Sequence, residues 1–319
     1  MRIHRIVRPS CAALLGVVFG CLAVIFFSWR GSASRPVIAF IPRTSGTNLT
    51  EDMRRGAQAA AQSAGYRLYW NAPTREDDLD RQIEIAETVV HRGARALILG
   101  PSNPWGVVTM IDRLTNRKIP IVIVQAEVPI SAGSHLTSVT PDQEQFGRLA
   151  AERIAQLTGG KGEVAIVGLG HGTPESLLRA QSFMRTIAAY PGIEIVAQTP
   201  GSVQIPEAEQ STRELVSKFP DLKAIFALTA DATQGAMLVL EALNTPHSVA
   251  LVGSDRDLFL ALDLQEGKLD SLVAADGYQI GYLAVEAALD GIQKHSLPPP
   301  EHVGAVLLTR GTVVRAFSH

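Results

Sequence analysis

Short, strongly apolar runs alternate with longer segments of mixed polarity from residue 36 onward. The runs are PVIAFI at 36–41, RLYW at 67–70, ALIL at 96–99 and IVIV at 121–124. Between them, apolar residues recur at spacings of three and four, which is typical of amphipathic helices, at about 49–63, 75–91 and 105–116. Strands this uniformly apolar are buried on both faces, so the pattern predicts a parallel sheet covered by helices.

The same alternation restarts after a break at 131–138, a segment that bears glycine and serine. Further strands are predicted at 163–167, 193–197, 224–227, 249–252 and 272–274. Helices are predicted around them at about 143–157, 174–190, 208–219, 232–243 and 258–266. The chain ends with a helix at about 279–294, a proline turn and a last extended run at 303–308. Because 319 residues suffice for two domains of about 150 residues each, we expect two α/β lobes.

The first 34 residues differ in kind from the rest. Three arginines precede an uncharged stretch of 21 residues at 9–29, and Arg30 and small residues follow it. A positive start, an apolar run and small residues at its end fit a secretory signal peptide cleaved after Ser34. The run is also close to the roughly 20 residues that a spanning helix needs, so an uncleaved anchor in the inner membrane stays open. Both alternatives predict a periplasmic or otherwise extracytoplasmic protein.

Charge and cysteine usage narrow the class of protein. Both cysteines, Cys11 and Cys21, lie in the leader, so the remaining chain has no disulfide and no thiolate site. Without the four arginines of the leader the chain has 25 basic and 31 acidic residues, a net charge of −6. A nucleic-acid partner is therefore disfavoured, because it needs a positive binding face.

Motifs that would indicate an enzyme are incomplete. The sequence GLGHG at 168–172 lacks the third glycine and the later acidic residue of a dinucleotide loop, and GGKG at 159–162 lacks the hydroxyl residue of a phosphate-binding loop. The eight histidines show no metal-ligand spacing, and no GxSxG nucleophile elbow occurs. We expect no catalytic residue, no metal site and no cofactor.

A series of short patterns is specific in its order and spacing. They are Gly56-Ala57 and Gln82 in the first two helices, Ile119-Pro120 before the fourth strand, Asp142 and Gly147 after the break, Phe226-Ala227 before Gly235-Ala236, VGSD at 252–255 and ADGYQIG at 275–281. With these patterns, residues of about 36–315 resemble the type I periplasmic binding proteins of the ribose and galactose class.

The resemblance implies two Rossmann-like lobes joined by a hinge of three strands. The first lobe would hold 36–137 plus 277–307, and the second 138–276 plus 308–319. It also implies a monomer that binds a small polar ligand, a sugar or polyol, between the lobes and presents it to an ABC permease. Independently, open α/β sheets bind ligands at the carboxyl ends of their strands, and two facing lobes bring both sets of ends to one crevice.

Polar residues after the predicted strands, together with the resemblance, give the candidates for ligand contact. They are Arg43, Thr47, Asn48, Trp105, Gln125, Asp142, Arg179, Thr229, Asp231, Asp255 and Asp276. Asp255 is the main candidate because a carboxylate offers about four acceptor sites to ligand hydroxyls. Helix capping is the alternative role for Thr47, Asn48 and Asp255, packing for Trp105, and a solvated surface position for the two arginines.

Several positions depart from the pattern of the family. Gln125-Ala126 replace an aspartate–arginine clamp, Leu49-Thr50 replace an aromatic pair, and Ala275 replaces a glutamine. These departures leave a modified sugar, another polyol or a signalling molecule open as the ligand. A repressor with the same ligand-binding fold is excluded, because the apolar leader occupies the place of its helix-turn-helix. A membrane-tethered sensor remains the alternative to a transport receptor.

Overall fold

The computed structural model describes residues 35–169, 174–199, 204–243, 248–255 and 257–313. The chain divides into two units, Met1–Pro36 and Val37–His319, and both sheets with their hydrophobic cores lie in the second. The predicted leader with its two cysteines, and 170–172 of the glycine-rich turn, fall outside the described residues.

The first lobe is built on a sheet of six parallel strands. They are β1 (Val37–Ile41), β2 (Arg67–Trp70), β3 (Ala96–Leu99), β4 (Ile121–Val124), β5 (Leu136–Pro141) and β11 (Glu301–Val303), in the order β11-β5-β4-β3-β1-β2. One apolar core lies between this sheet and helices α1 (Asn48–Ser63) and α9 (Gly277–Lys294). A second core lies on the opposite face, under α2 (Leu79–His91) and α3 (Val108–Asn116).

The second lobe repeats this plan. Its strands are β6 (Lys161–Val167), β7 (Gly192–Thr199), β8 (Leu222–Ala227), β9 (Ala250–Ser254), β10 (Ser271–Ala275) and β12 (Ala305–Thr309), in the order β12-β10-β9-β8-β6-β7. All pairs are parallel except β10 with β12. Helices α4 (Gln143–Thr158) and α5 (Pro174–Ile187) cover one face, and α6 (Ile205–Lys218), α7 (Ala230–Ala242) and α8 (Leu258–Glu266) cover the other. The predicted class, two α/β lobes with largely parallel sheets, is confirmed.

The chain crosses between the two sheets three times. It crosses at Asp142 after β5, at Asp276 after β10, and at Gly304 between β11 and β12. The sheets thus divide the chain at 142, 276 and 304, whereas the sequence placed these divisions at 137, 276 and 307. The three links lie at the carboxyl ends of β5, β10 and β11.

Hydrogen bonds join these three links to one another. The backbone N–H of Asp142 donates to the carbonyl of Val303 at 2.8 Å. The side-chain Oε1 of Gln145 accepts the N–H of Ala305 at 2.6 Å, and Ala305 pairs with Ala275 of β10. The crossings therefore form one contiguous cluster.

The strand β5 was missed, because half of its residues are polar and it begins inside the predicted break. Its sequence LTSVTP is nevertheless buried throughout, between β4 and β11. The hydroxyls of Ser138 and Thr140 donate to Oε1 of Glu127 at 3.4 and 2.7 Å. These bonds satisfy two of the three polar side chains of the buried strand, while Oγ1 of Thr137 has no partner among the described residues.

Three other predictions were wrong in their bounds. The last run at 303–308 is two strands in different sheets, because the chain changes lobe at Gly304. The helix predicted from residue 75 begins at Leu79, since the carboxylate of Asp78 caps it by accepting the N–H of Arg81 at 3.1 Å. The helix predicted from residue 105 begins at Val108.

Candidate functional site

The carboxyl edges of both sheets lie at the crossings, and we call the space between their strand-end loops the interlobe cleft. At Asp142 and at Asp276 the chain leaves a strand of one lobe and directly begins a helix of the other lobe. The carboxyl edges of both sheets therefore lie beside the cluster of crossings. We call the loops at 42–47, 71–76, 100–105 and 125–127 the first-lobe wall, and residues 228–231, 255, 257, 275 and 276 the second-lobe wall. Glu76 of the first wall lies close enough to Asp231 of the second to raise the pKa of that carboxyl.

A buried guanidinium organises the second-lobe wall. Arg179 of α5 is only 6% exposed, and it makes a bidentate ion pair with Asp255, with both N–O distances at 3.0 Å. Its Nε donates to Oε1 of Gln143 and its Nη1 to the carbonyl of Leu228, both at 2.7 Å. The guanidinium carbon lies 4.0 Å from the ring centroid of Phe146. Arg179 therefore ties together the ends of β8, β9 and α4, and it is not a solvated surface residue.

Asp255 is held by this arginine while 39% of its side chain stays exposed. Its backbone is in the left-handed region at φ +66, and its N–H donates to the carbonyl of Val273 at 2.8 Å. It does not cap α8, because the carboxylate of Asp257 does so by accepting the N–H of Leu260 at 2.7 Å. The carboxylate of Asp255 is thus fixed in direction and partly open.

Two further candidates lie beside Asp255 at the start of α7. The hydroxyl of Thr229 caps this helix by accepting the N–H of Ala232 at 3.1 Å. Asp231 is half-buried, and burial is the main reason why its pKa is raised. The carboxylates of Asp257, Glu76 and Asp255 raise that pKa further. Four carboxylates therefore lie near one another in this part of the cleft, two of them paired with arginines.

The first-lobe wall is held mainly by neutral groups. Gln125 is in the left-handed region at φ +70, and its Oε1 accepts the backbone N–H of Arg43 at 3.1 Å. The guanidinium of Arg43 donates from Nε to the carbonyl of Pro101 at 3.2 Å and pairs with Glu76 at 3.1 Å. Both candidates therefore fasten neighbouring loops.

A fully buried glutamine lies behind this wall. Nε2 of Gln82 donates to the carbonyls of Pro42 and Gly100 at 3.3 and 2.8 Å. Its Oε1 accepts the N–H of Ser102 at 2.8 Å. In the sequence Gln82 is only part of a family pattern, whereas in the structure it joins the ends of β1 and β3.

Thr47 and Asn48 occupy the start of α1. Thr47 caps the helix, with its Oγ1 accepting the N–H of Thr50 at 3.2 Å. Nδ2 of Asn48 is buried and has no hydrogen-bond partner among the described residues, and the same holds for Oγ of Ser102. Oγ1 of Thr137 and Oγ of Ser254 are likewise buried without a partner in the described ranges, so a missing partner does not by itself mark a ligand contact.

The three remaining candidates are Trp105 in the first-lobe wall, Asp276 in the second-lobe wall, and Asp142 at the first crossing. Trp105 is 76% exposed in a turn before α3, where Oδ1 of Asn103 accepts its N–H at 3.0 Å. It therefore does not open the helix as predicted. Asp142 and Asp276 cap α4 and α9 by accepting the N–H groups of Gln145 and Gln279 at 2.9 and 3.0 Å. Both aspartates lie at the crossings.

Sequence reasoning missed three residues of the site. Glu76 follows β2, and Asp257 comes two residues after Asp255, so position after a strand was a usable signal for both. Gln143 had no such signal, because its role depends on the arrival of Arg179 from another helix. Within the described part of the chain, no group of three or more His, Cys, Asp or Glu residues could hold a metal ion.

Curated relatives match most of the chain at low identity. A ribose import binding protein of Salmonella typhimurium is 23% identical over 256 residues, which cover 80% of this chain and 84% of the relative. A D-apiose import binding protein of Actinobacillus succinogenes is 25% identical over 235 residues, which cover 72% and 74% of the two chains.

Solved structures share the fold. An arabinose-binding protein of Geobacillus stearothermophilus superposes with a TM-score of 0.83 at 21% identity, covering 88% of this chain and 99% of its own. An ABC transporter periplasmic solute-binding protein of Actinobacillus succinogenes, with bound D-allose, gives a TM-score of 0.77 at 23% identity, covering 88% and 100%. The family described as periplasmic binding protein domain matches residues 38–296. The two lobes, their shared cleft and this match over most of the chain agree with the predicted resemblance, and the chain belongs to the periplasmic binding protein family.

Proposed function

We propose that this protein captures a small polyhydroxylated ligand, a sugar or a sugar alcohol, in the interlobe cleft and delivers it to an ABC permease. The observation that carries the proposal is the state of Asp255. Its carboxylate is oriented by the buried Arg179, yet more than a third of its side chain remains exposed at the strand end. A carboxylate fixed in this way accepts hydrogen bonds from ligand hydroxyls without first having to be ordered.

Groups of the first lobe complete the proposed site. Nδ2 of Asn48 and Oγ of Ser102 are polar atoms without a partner in the described chain. The carboxylate of Glu76 in the first-lobe wall raises the pKa of Asp231 in the second-lobe wall, so charges of both lobes interact across the cleft. The relatives named for import of ribose and D-apiose, and the structure with bound D-allose, support ligands of this class.

We infer that the protein works on the outer side of the cytoplasmic membrane. The leader pattern and the family support this location. No helix in the described ranges is long and apolar enough to span a bilayer, and the apolar run at 9–29 lies outside them. Amino-terminal sequencing of the protein from soluble and membrane fractions would show whether that run is removed or retained as an anchor.

A ligand screen followed by Asp255→Asn tests the proposed function. Pentoses, hexoses and pentitols are screened by thermal unfolding, and a ligand at about 100 times its Kd should add about 2.7 kcal/mol to the free energy of unfolding. We expect Asp255→Asn to weaken binding about 10- to 100-fold, because charge-assisted hydrogen bonds become neutral ones.

The matched control is Asp221→Asn, an exposed aspartate in the turn before β8. The affinity of the Asp221→Asn variant for a ligand found in the screen should equal that of the wild type. The proposal fails if no sugar or polyol changes the unfolding temperature, or if the two variants bind a ligand found in the screen equally well.

A further inference from the structure

The first turn of α4 begins where the chain enters the second lobe, directly after the crossing at Asp142. We call residues 142–147 the junction turn. Its side chains and backbone bond to helix α5 and Arg179 on one side and to the third crossing, at Gly304, on the other. The junction turn therefore borders both the second-lobe wall and the cluster of crossings.

On the side of the second-lobe wall, a single guanidinium bonds to the junction turn and to the proposed ligand contact. Nε of Arg179 donates to Oε1 of Gln143 at 2.7 Å, and its Nη1 and Nη2 donate to the carboxylate of Asp255 at 3.0 Å each. Because a guanidinium is planar and rigid, it fixes the amide of Gln143 relative to the carboxylate of Asp255. A displacement of either side chain therefore acts on the other.

Helix α5 holds the junction turn through further contacts. The ring centroid of Phe146 lies 4.0 Å from the guanidinium carbon of Arg179. Oγ of Ser182 donates to the carbonyl of Glu144 at 2.6 Å. Gly147 permits the close approach of the two helices, since a Cβ at this position would overlap the carbonyl oxygen of Arg179. The junction turn therefore cannot shift without disturbing its contacts with α5.

On the other side, the junction turn is bonded to the remaining crossings. Oε1 of Gln145 accepts the N–H of Ala305 at 2.6 Å, and the N–H of Asp142 donates to the carbonyl of Val303 at 2.8 Å. Ala305 pairs in turn with Ala275, the residue before the second crossing. A movement of the junction turn therefore reaches all three crossings.

The bond from Gln143 is not needed to satisfy the charge of Arg179. Asp255 supplies the counter-ion, and the carbonyl of Leu228 accepts a further N–H of the guanidinium at 2.7 Å. The bond does connect Arg179 to the residue that follows the first crossing. Gln156, farther along the same helix, accepts an N–H of Arg153 at 2.7 Å at an exposed position away from the crossings. It offers a bond of the same kind without that connection.

We propose that the junction turn couples ligand binding at Asp255 to closure of the cleft, with Gln143 as the positioning residue that makes the connection. The proposal rests on the proposed function of the cleft. A ligand that bonds to Asp255 favours one position of Arg179, and through Gln143 one position of the crossings. Binding and closure then favour each other by the same factor, carried by a continuous chain of bonded side chains.

Two variants break the chain on its two sides. Gln143→Leu removes the acceptor of Nε of Arg179, and Gln145→Leu removes the acceptor at the third crossing, while both keep the pair of Arg179 with Asp255. We expect each to bind sugars about fivefold more weakly, and to keep at saturation an open population that the wild type lacks. Gln143→Glu should restore both properties, because its carboxylate also accepts the N–H of Arg179. The matched control Gln156→Leu should behave as the wild type.

The experiment uses residues 35–319, because both sheets and the apolar cores around them lie after residue 36. The probes are the pentoses, hexoses and pentitols that raise the unfolding temperature of the wild type in the screen. Titration calorimetry gives the affinity of each variant for these compounds. Small-angle X-ray scattering gives the open and closed populations, since closure lowers the radius of gyration, and circular dichroism checks that each variant is folded.

The two readouts separate coupling from a structural role. If Gln143 only orients Asp255, Gln143→Leu weakens binding and still closes completely at saturation, which overturns the proposal. Complete closure of Gln145→Leu, or a wild type that binds sugar without closing, also overturns it. If no pentose, hexose or pentitol binds the wild type, the proposed function fails and the coupling fails with it. If Gln143→Leu does not fold, Gln145→Leu decides the question, because it leaves every bond of Arg179 in place.

Discussion

In each lobe a buried polar side chain fastens several strand-end loops, Gln82 in the first and Arg179 in the second, and these two side chains differ in charge. In the first lobe, Gln82 bonds to the backbone at Pro42, Gly100 and Ser102. In the second lobe, Arg179 bonds to the carbonyl of Leu228 but also needs the carboxylate of Asp255.

The difference in charge determines what each wall can offer to a ligand. A neutral amide is satisfied by the peptide groups around it, so Gln82 needs no counter-ion from the first-lobe wall. A buried guanidinium requires a counter-ion, and the counter-ion of Arg179 is Asp255, the partly exposed carboxylate at the cleft. In the second-lobe wall the Arg179–Asp255 pair therefore serves both stability and ligand binding. In the first-lobe wall Gln82 fastens the loops, and other side chains are available to the ligand.

The largest expected effect comes from breaking that ion pair. Asp255→Ala should lower the free energy of unfolding by about 3 kcal/mol, because it leaves Arg179 buried without a counter-ion. The double variant Asp255→Ala/Arg179→Met should recover most of this loss, since it removes both charges. Chemical denaturation measures both values.

Ligand binding separates the two roles of the pair. The double variant should stay folded and yet bind ligand no better than Asp255→Ala. If the double variant is as unstable as the single one, the buried charge is not the cause of the instability, and the contrast between the walls is wrong.

A smaller effect is expected in the first wall from Gly100→Ala. A Cβ at this position would lie 2.0 Å from Oε1 of Gln125 and 3.2 Å from the backbone nitrogen of Arg43. Because the nearest atom ends a flexible side chain, Gln125 can turn away from the new Cβ. We expect the free energy of unfolding to fall by about 1 kcal/mol, because the hydrogen bond between Gln125 and the N–H of Arg43 is lost. The control Gly133→Ala, where a Cβ meets nothing within 4 Å, should stay within about 0.5 kcal/mol of the wild type.

The smallest effect is expected from Asp231→Asn, and it depends on pH. Burial and the three neighbouring carboxylates raise the pKa of Asp231 in the folded state, so its ionised form destabilises the fold at neutral pH. Asp231→Asn should therefore gain about a few tenths of a kcal/mol at pH 7, an amount kept small by solvent screening. As the pH falls through the raised pKa, wild-type Asp231 is protonated and the gain should disappear below about pH 4.

Glu76 makes this last experiment a test across the cleft. In a Glu76→Gln background the gain from Asp231→Asn should shrink, because one of the repelling carboxylates is already absent. Chemical denaturation at pH 4 and pH 7 measures the gain in stability from Asp231→Asn in the wild-type background and in the Glu76→Gln background. Equal gains in the two backgrounds would show that the first wall does not act on Asp231.

The fold could be predicted wherever burial dictates composition. Strands such as IVIV at 121–124 are buried on both faces, an environment that favours successive β-branched residues. The strand β5 could not be recognised in this way, since two of its polar side chains, Ser138 and Thr140, bond to Glu127, a contact that only the folded chain reveals.

The sequence indicates which residues lie at the strand ends of the site, but it does not indicate which of them contact each other. The order of strands placed Arg43, Gln125 and Asp255 at carboxyl ends, because every parallel strand must end at that edge. It could not indicate that Gln125 turns back onto the N–H of Arg43, which requires its positive φ. The burial of Arg179 was likewise hidden, since its partners are distant in sequence.

The cluster of crossings limits the ways in which the two lobes can move relative to each other. One link would allow rotation about three axes, but the links at Asp142, Asp276 and Gly304 are joined side by side through Val303, Ala305 and Gln145. Three joined links resist twisting and sliding and leave bending about their common line as the soft degree of freedom. We therefore expect opening and closing to be described by a single angle, which one pair of distance probes, one on each lobe, is enough to follow.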